Sequence, residues 1–129
     1  MKTINVVAGI IKKDNKIFIA ERGYGEFKGM YEFPGGKIEP GEEPRDALKR
    51  ELYEEMQAHI EVDSFFYHVH YEYPDFTLEM DCFICHLLDD HLVLLEHLDG
   101  KWIDPKDNDE SIVWVPADIE VINELKKRG

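Results

Sequence analysis

Apolar residues recur along this chain in two rhythms. Thr3 to Lys12 reads T-I-N-V-V-A-G-I-I-K, apolar on both faces, which predicts a strand covered on both sides. Asp14-Asn15 predicts a short turn into a second strand, Lys16 to Arg22, as a hairpin. Gly23 to Gly29 holds three glycines and reads as a loop. Tyr31-Glu32-Phe33 reads as a short extended piece entering a tight turn at Pro34-Gly35-Gly36, and a second turn follows at Pro40-Gly41. From Pro44 the period changes. Plotted at 100° per residue, Leu48, Leu52 and Met56 form one apolar stripe that Ala47 widens, so the spacing predicts a helix. Pro44 suits its first position, and Glu43 is a weak cap before it. Strand-like stretches follow at Ile60–Tyr73, Thr77–Leu87 and His91–Leu95, punctuated by Pro74-Asp75 and Asp89-Asp90. From Pro116 to Lys127, Ile119, Ile122 and Leu125 return at helical spacing, and Lys126-Lys127-Arg128 suit a helix C-terminus. Strands plus two helices, with a sheet apolar on both faces, predict an α/β/α sandwich with a mixed central sheet.

Composition narrows the class. A length of 129 residues fits one domain spanning 1–129, and 43% hydrophobic with 12% aromatic content is globular. The formal charge of −13 argues against a nucleic-acid polymer as partner, because a phosphate backbone calls for basic patches. Thr3-Ile4-Asn5-Val6-Val7 follows the first residues directly, without a signal peptide, and no apolar run approaches membrane-spanning length. The expectation is a cytoplasmic protein with no membrane partner. The three-glycine loop lacks the G-K-[ST] ending of a P-loop. Cys82 and Cys85 form a lone C-x-x-C inside a predicted strand. Their odd separation puts them on opposite faces, as buried reduced thiols. His68 and His70 share one strand face, where cross-strand packing is a better reading than a metal pair.

The motif helix carries the chemistry. Glu51 and Glu55 fall inside the arc between Ala47 and Leu48, where a packing helix should be apolar, and Glu54 lies just outside it. Asp46, Lys49 and Arg50 already supply a wet face. Carboxylates crowded on the inward side repel one another and lose hydration, so they need protons or a cation. A hard divalent cation bound through oxygen meets that need. It also lets an acidic protein bind a polyphosphate.

The order G-x5-E-x7-R-E-L-x-E-E, carried by Gly36, Glu42, Arg50, Glu51, Leu52, Glu54 and Glu55, resembles the box of the Nudix hydrolases, which cleave nucleoside diphosphates linked to another group. Gln57 and Ala58 depart from that pattern, standing where the box ends with Gly and an aliphatic residue. The departure concerns the helix stop, not the ligand set. Tyr31 to Glu39, Tyr71-Glu72-Tyr73-Pro74-Asp75 and Trp114-Val115-Pro116-Ala117-Asp118 look like the MutT branch. The resemblance implies the same α/β/α architecture. It implies Mg²⁺-dependent hydrolysis of (d)NTP to monophosphate and pyrophosphate, with Mn²⁺ as a substitute. Sanitising of oxidised nucleotides such as 8-oxo-dGTP is one form of that activity. The implied partner is a small nucleotide, and the chain is expected to be a monomer or weak dimer.

Carried onto this sequence, the resemblance makes Glu51, Glu54 and Glu55 metal ligands, with the carbonyl of Gly35 as a further oxygen. Glu96, six residues before Trp102, stands where MutT-like proteins have an extra acid, either a ligand or the base that prepares the attacking water; Glu51 competes for that second role. Arg50 points away from the cluster on the helical wheel and is read as orienting the glutamates by a bidentate bond. Glu42 braces Arg50 or the turn. Lys37, beside the Gly-Gly pair, meets phosphate or remains solvated. Arg22 and Phe33 match positions near the nucleotide, Arg22 by charge and Phe33 by stacking on the base.

Asp118 stands where the resemblance has a base-reading Asn. As an ionised carboxylate it accepts hydrogen bonds from the guanine edge or the cytosine amino group, and as a helix N-cap it has a structural role instead. Both readings stay open, and the change admits a CTP or dCTP pyrophosphohydrolase. A hydrolase of dinucleotides or nucleotide sugars and a non-catalytic nucleotide-binding regulatory module are the competing functions.

Overall fold

The computed structural model describes residues 2–128. Its elements are β1 (Lys2–Lys13), β2 (Lys16–Glu21), β3 (Tyr31–Glu32), β4 (Gly35–Lys37), α1 (Pro44–Met56), β5 (Ile60–Glu72), β6 (Phe76–Leu87), β7 (Asp99–Ile103) and α2 (Pro116–Arg128). The strands form a mixed sheet in the order β3-β2-β1-β6-β5, with β4 also paired to β1 and β7 to β2. β1 and β6 run parallel from Lys2↔Phe76 to Ile11↔Cys85, while the remaining strand pairings are antiparallel.

The double-sided strand expected from the sequence is the centre of the molecule. Val7 and Ile11 of β1 pack with Leu48, Leu52 and Met56 of α1. Ala8 and Ile10 pack with Val121, Ile122 and Leu125 of α2. Side chains alternate across a strand, so one continuous apolar run serves two helix layers. Gly9 keeps β1 thin beneath α1, since a Cβ there would stand 3.1 Å from Leu52 Cδ1 and 3.3 Å from Leu48 Cδ1. Cys82 belongs to the α2-side core and Cys85 to the α1-side core, both free and buried. Burial pushes the Cys85 thiol up to about 12 and raises that of Cys82 as well, so both behave as small apolar side chains.

Four local expectations change. Pro34-Gly35-Gly36 is not a tight turn: Gly35–Lys37 is strand β4, in register with Val6, Val7 and Ala8. A Cβ at Gly35 would collide with the Val7 carbonyl and the backbone of Ala8, so glycine permits the approach. His91–Leu95 is not a strand. Its amides are engaged by the end of α1, Val93 N–H donating to the Met56 carbonyl at 2.8 Å and Leu95 N–H to that of Glu55 at 3.2 Å. These bonds satisfy carbonyls that a helix end leaves orphaned. The extra strand lies further on, at Asp99–Ile103, where Gly100 gives room to the Phe18 ring. In α2, Ile119 is exposed, and Ala117, Asp118, Val121, Ile122 and Leu125 face inward.

Gln57 resolves the missing helix-stop glycine. It adopts the left-handed conformation itself (φ 53°, ψ 27°), its N–H donating to the Tyr53 carbonyl at 2.8 Å and the Ala58 N–H to that of Leu52 at 3.3 Å. Among the described residues no helix is long and apolar enough to cross a membrane.

Candidate active site

One cavity of about 420 Å³ gathers most of the singled-out residues: Arg22, Phe33, Gly35, Gly36, Lys37, Glu51, Glu55, Glu96 and Asp118 all line it. α1 presents its acidic arc at one end, and the first turn of α2 places Asp118 at the other. β4 lies beside the acids because Gly36 has no side chain; a Cβ there would strike the Glu51 carboxylate.

The inward acids are strained electrostatically. Glu55 is held up at about 8 by burial and then by the charges of Glu51, Glu96 and Glu32, and its Oε2 is buried without a hydrogen-bond partner among the described residues. Glu51 is also raised by burial, against the opposing pull of Arg50. Glu54 differs, its side chain being 55% exposed against 16% for Glu51, and it does not line the cavity. Among the described residues no three acidic, cysteine or histidine side chains converge on one point tightly enough to hold a metal. Arg50 Nη1 binds two of these acids, Glu51 Oε1 at 2.9 Å and Glu54 Oε1 at 3.2 Å.

The donor set nevertheless suits a hard cation. It is all oxygen, it contains an orphaned buried carboxylate atom, and it includes further acids, Glu51 and Glu96, on the same cavity.

Arg50 reaches the glutamates despite its position on the wheel, because its long side chain folds back across α1. Its bidentate partner is not one of those glutamates but Glu42, through Nε and Nη2 at 2.8 Å each; Nη2 also donates to the Lys37 carbonyl at 3.0 Å. The Arg50 hydrogen bonds hold Glu42 down at about 2, and Glu42 Oε1 accepts from the Glu39 N–H at 3.1 Å. One guanidinium thus ties the loop before α1 to β4 and to the acids.

At the far end, Asp118 is not an N-cap. The helix begins at Pro116, and the Tyr73 hydroxyl accepts the Ala117 N–H at 3.2 Å. Asp118 is the third residue of α2, 4% exposed, with Oδ2 accepting the Phe33 N–H at 2.7 Å. Burial pushes its carboxyl up to about 8 against that hydrogen bond. The shift favours the protonated form, which has a donor as well as an acceptor, over the ionised acceptor expected from the sequence. The Phe33 ring is not free to clamp a base on both faces, since it stacks on Trp114 with centroids 5.4 Å apart. Phe33 contributes its backbone amide and one side of the cavity.

Two residues were missed by sequence reasoning. Glu32 pairs with Arg22 (Nη2–Oε1, 2.8 Å) and His97 (Nε2–Oε2, 3.1 Å), and all three line the cavity. A Glu between Tyr31 and Phe33 in an apolar segment was the available signal. His97 sits in a loop and had none. The expected His68/His70 pair forms cross-strand bonds, His68 to Asp81 (2.7 Å) and Glu79 (2.9 Å), His70 to Glu79 (3.0 Å).

A family model described as the NUDIX domain matches residues 1–128. Over 57 residues, 43% of this chain and 42% of the other protein, the sequence is 53% identical to the CTP pyrophosphohydrolase of Escherichia coli (strain K12). Over 77 residues, 58% of this chain and 60% of the relative, it is 43% identical to the 8-oxo-dGTP diphosphatase of the same strain. The chain therefore spans about half the length of these curated relatives. A solution NMR structure of the DNA mismatch repair protein MutT, family Nudix hydrolase, from methicillin-resistant Staphylococcus aureus 252 is 36% identical. It superposes with a TM-score of 0.76 over 100% of both chains.

Proposed function

We propose, because this chain belongs to the NUDIX domain family, that residues 1–129 form one domain that hydrolyses nucleoside triphosphates to a monophosphate and pyrophosphate. The observation that carries this is the cavity with two unlike ends. One holds crowded acids with an orphaned oxygen on Glu55, and the other holds a single buried acid, Asp118, bonded to a backbone amide.

Nudix hydrolases generally use a divalent metal ion. For this chain we name Mg²⁺, with Mn²⁺ as substitute, held by Glu51, Glu55, Glu54 and the Gly35 carbonyl. When bound, such an ion neutralises phosphate charge and polarises the bond to be cleaved. The chain's own residues do the remainder. Arg50, braced by Glu42, steers Glu51 and Glu54. Lys37, beside the Gly-Gly strand, meets phosphate. Glu96 is the base for the attacking water, because Glu51 Oε1 is engaged by Arg50 at 2.9 Å. The work is cytoplasmic, on a free nucleotide and not on a polymer, by a monomer or weak dimer.

Asp118 reads the base. A neutral carboxylic acid offers one donor and one acceptor, which complements N3 and N4 of cytosine or O6 and N1 of guanine. Relatives named for each base class support both: a CTP pyrophosphohydrolase and an 8-oxo-dGTP diphosphatase. The 53% identity to the first favours cytidine nucleotides as a second reading beside oxidised guanine.

A panel of CTP, dCTP, GTP, 8-oxo-dGTP and ADP-ribose, assayed with Mg²⁺ for pyrophosphate and monophosphate, tests the proposal. Release of pyrophosphate from a triphosphate supports it. Turnover of ADP-ribose alone, or binding without turnover, would replace it with one of the competing functions.

A further inference from the structure

The cavity wall between the acidic end and Asp118 carries a group that the proposed chemistry leaves unused. Glu32 takes Arg22 Nη2 on one carboxylate oxygen and His97 Nε2 on the other, at 2.8 and 3.1 Å. The His97 side chain is 6% exposed and lines the cavity, yet its Nδ1 has no hydrogen-bond partner among the described residues; the same is true of Arg22 Nε. Leaving a buried polar atom unpaired costs about 1–3 kcal/mol, so such an atom in a cavity wall marks where a ligand completes the bond.

Chemistry sets which ligand atom fits. The Glu32 carboxylate offers only acceptors, so His97 Nε2 carries the hydrogen and donates. With that hydrogen on Nε2, the Nδ1 lone pair faces the cavity as an acceptor, the complement of a hydroxyl or N–H. Position sets which part of the ligand arrives. Glu32 directly precedes Phe33, whose N–H is bonded to Asp118, while His97 directly follows Glu96 on the same cavity, so the pair bridges the two ends. In a nucleotide the sugar lies between base and phosphates.

We infer that His97, held by Glu32, is a specificity-determining residue whose Nδ1 accepts a hydrogen bond from a sugar hydroxyl of the nucleotide. This rests on the nucleotide reading proposed above. Two substitutions separate the ring's two nitrogens. His97→Gln places an amide N–H near the Nε2 position and keeps the Glu32 bond, but removes the Nδ1 acceptor. His97→Asn places an amide oxygen near Nδ1 and loses the Glu32 bond.

The test compares each protein on the preferred triphosphate and on its 2′-deoxy and 3′-deoxy forms. KM is taken from initial rates, and Kd for the matching monophosphates from calorimetry. Removing the recognised hydroxyl should raise KM and Kd of the unsubstituted protein by about tenfold while kcat stays within about twofold. In His97→Gln that penalty should vanish, and His97→Asn should retain part of it. An unsubstituted protein indifferent to both deoxy analogues, or a penalty unchanged in His97→Gln, overturns the inference while leaving hydrolysis intact. A protein that neither binds nor hydrolyses any nucleotide sinks the nucleotide reading, and this inference with it.

Discussion

Glu55 and Asp118 are both pushed up to about 8 and both line one cavity, yet they arrive there differently. Burial is the leading cause for each. Glu55 then faces Glu51, Glu96 and Glu32, and its Oε2 has no partner among the described residues. Asp118 is more deeply buried, receives the Phe33 N–H, and has only Glu32 adding appreciable negative charge. A crowd of acids is relieved best by a cation, whereas an isolated buried acid is relieved by keeping its proton. Equal shifts therefore arise at unlike sites: one a crowd of acids suited to a cation, the other a single buried acid bonded to a backbone amide.

The sharpest way to break that contrast is at the acidic end. Glu55→Gln should leave the fold intact by circular dichroism and lower turnover by about 10³-fold, as loss of a group that both crowds and coordinates should. A loss of only a few-fold would remove Glu55 from the site. Next is the cation itself. At pH 8, a divalent ion at about 100 times its Kd should stabilise the protein by about 2.7 kcal/mol, read as a rise in Tm, and most of that gain should disappear in Glu55→Gln but persist in Asp118→Asn.

Substitutions at the other end should be gentler. Asp118→Asn keeps a carbonyl for the Phe33 N–H and an N–H donor for the base, so its ranking of nucleotides should stay close to that of the protonated acid. Asp118→Ala should lose about tenfold in KM for the preferred base with little change in kcat. Equal losses on every base in Asp118→Ala would assign it a structural role.

A separate effect is on stability against pH. Folded Asp118 holds its proton up to about pH 8, whereas the unfolded chain releases it near the ordinary value of 3.8. Between those values the folded state binds more protons, so the contribution to stability falls as pH rises and then levels off above 8. Asp118→Asn should flatten that slope, by at most about 1.4 kcal/mol per pH unit, in denaturation series from pH 5 to 8.

The legible parts were those in which local chemistry repeats. The apolar run of β1 and the stripe Leu48-Leu52-Met56 have periods that only one packing satisfies. Glu51 and Glu55 stood out because charge occupied positions where that stripe required carbon. The strand β4 was hidden because Gly35-Gly36 has the composition of a turn; close approach to Val7 and Ala8 requires glycine for another reason. His91–Leu95 looked like a strand because alternation does not reveal that its amides are engaged by α1. Asp118 passed for a cap because Asp is favoured both before a helix and in its first turn, and only the fold shows that it lies in the turn, buried against the Phe33 N–H.

By itself, then, the chain determined its layers and its acidic helix face, since hydrophobic period and charge placement act over a few residues. It did not determine which oxygen of which acid is left unpaired. Nor did it determine that Asp118 is buried against Phe33, or that Glu32 of β3 joins Arg22 to His97, a residue 65 positions further along than Glu32. Those depend on dielectric surroundings and on partners distant along the chain, which exist only once the sheet has brought the segments together.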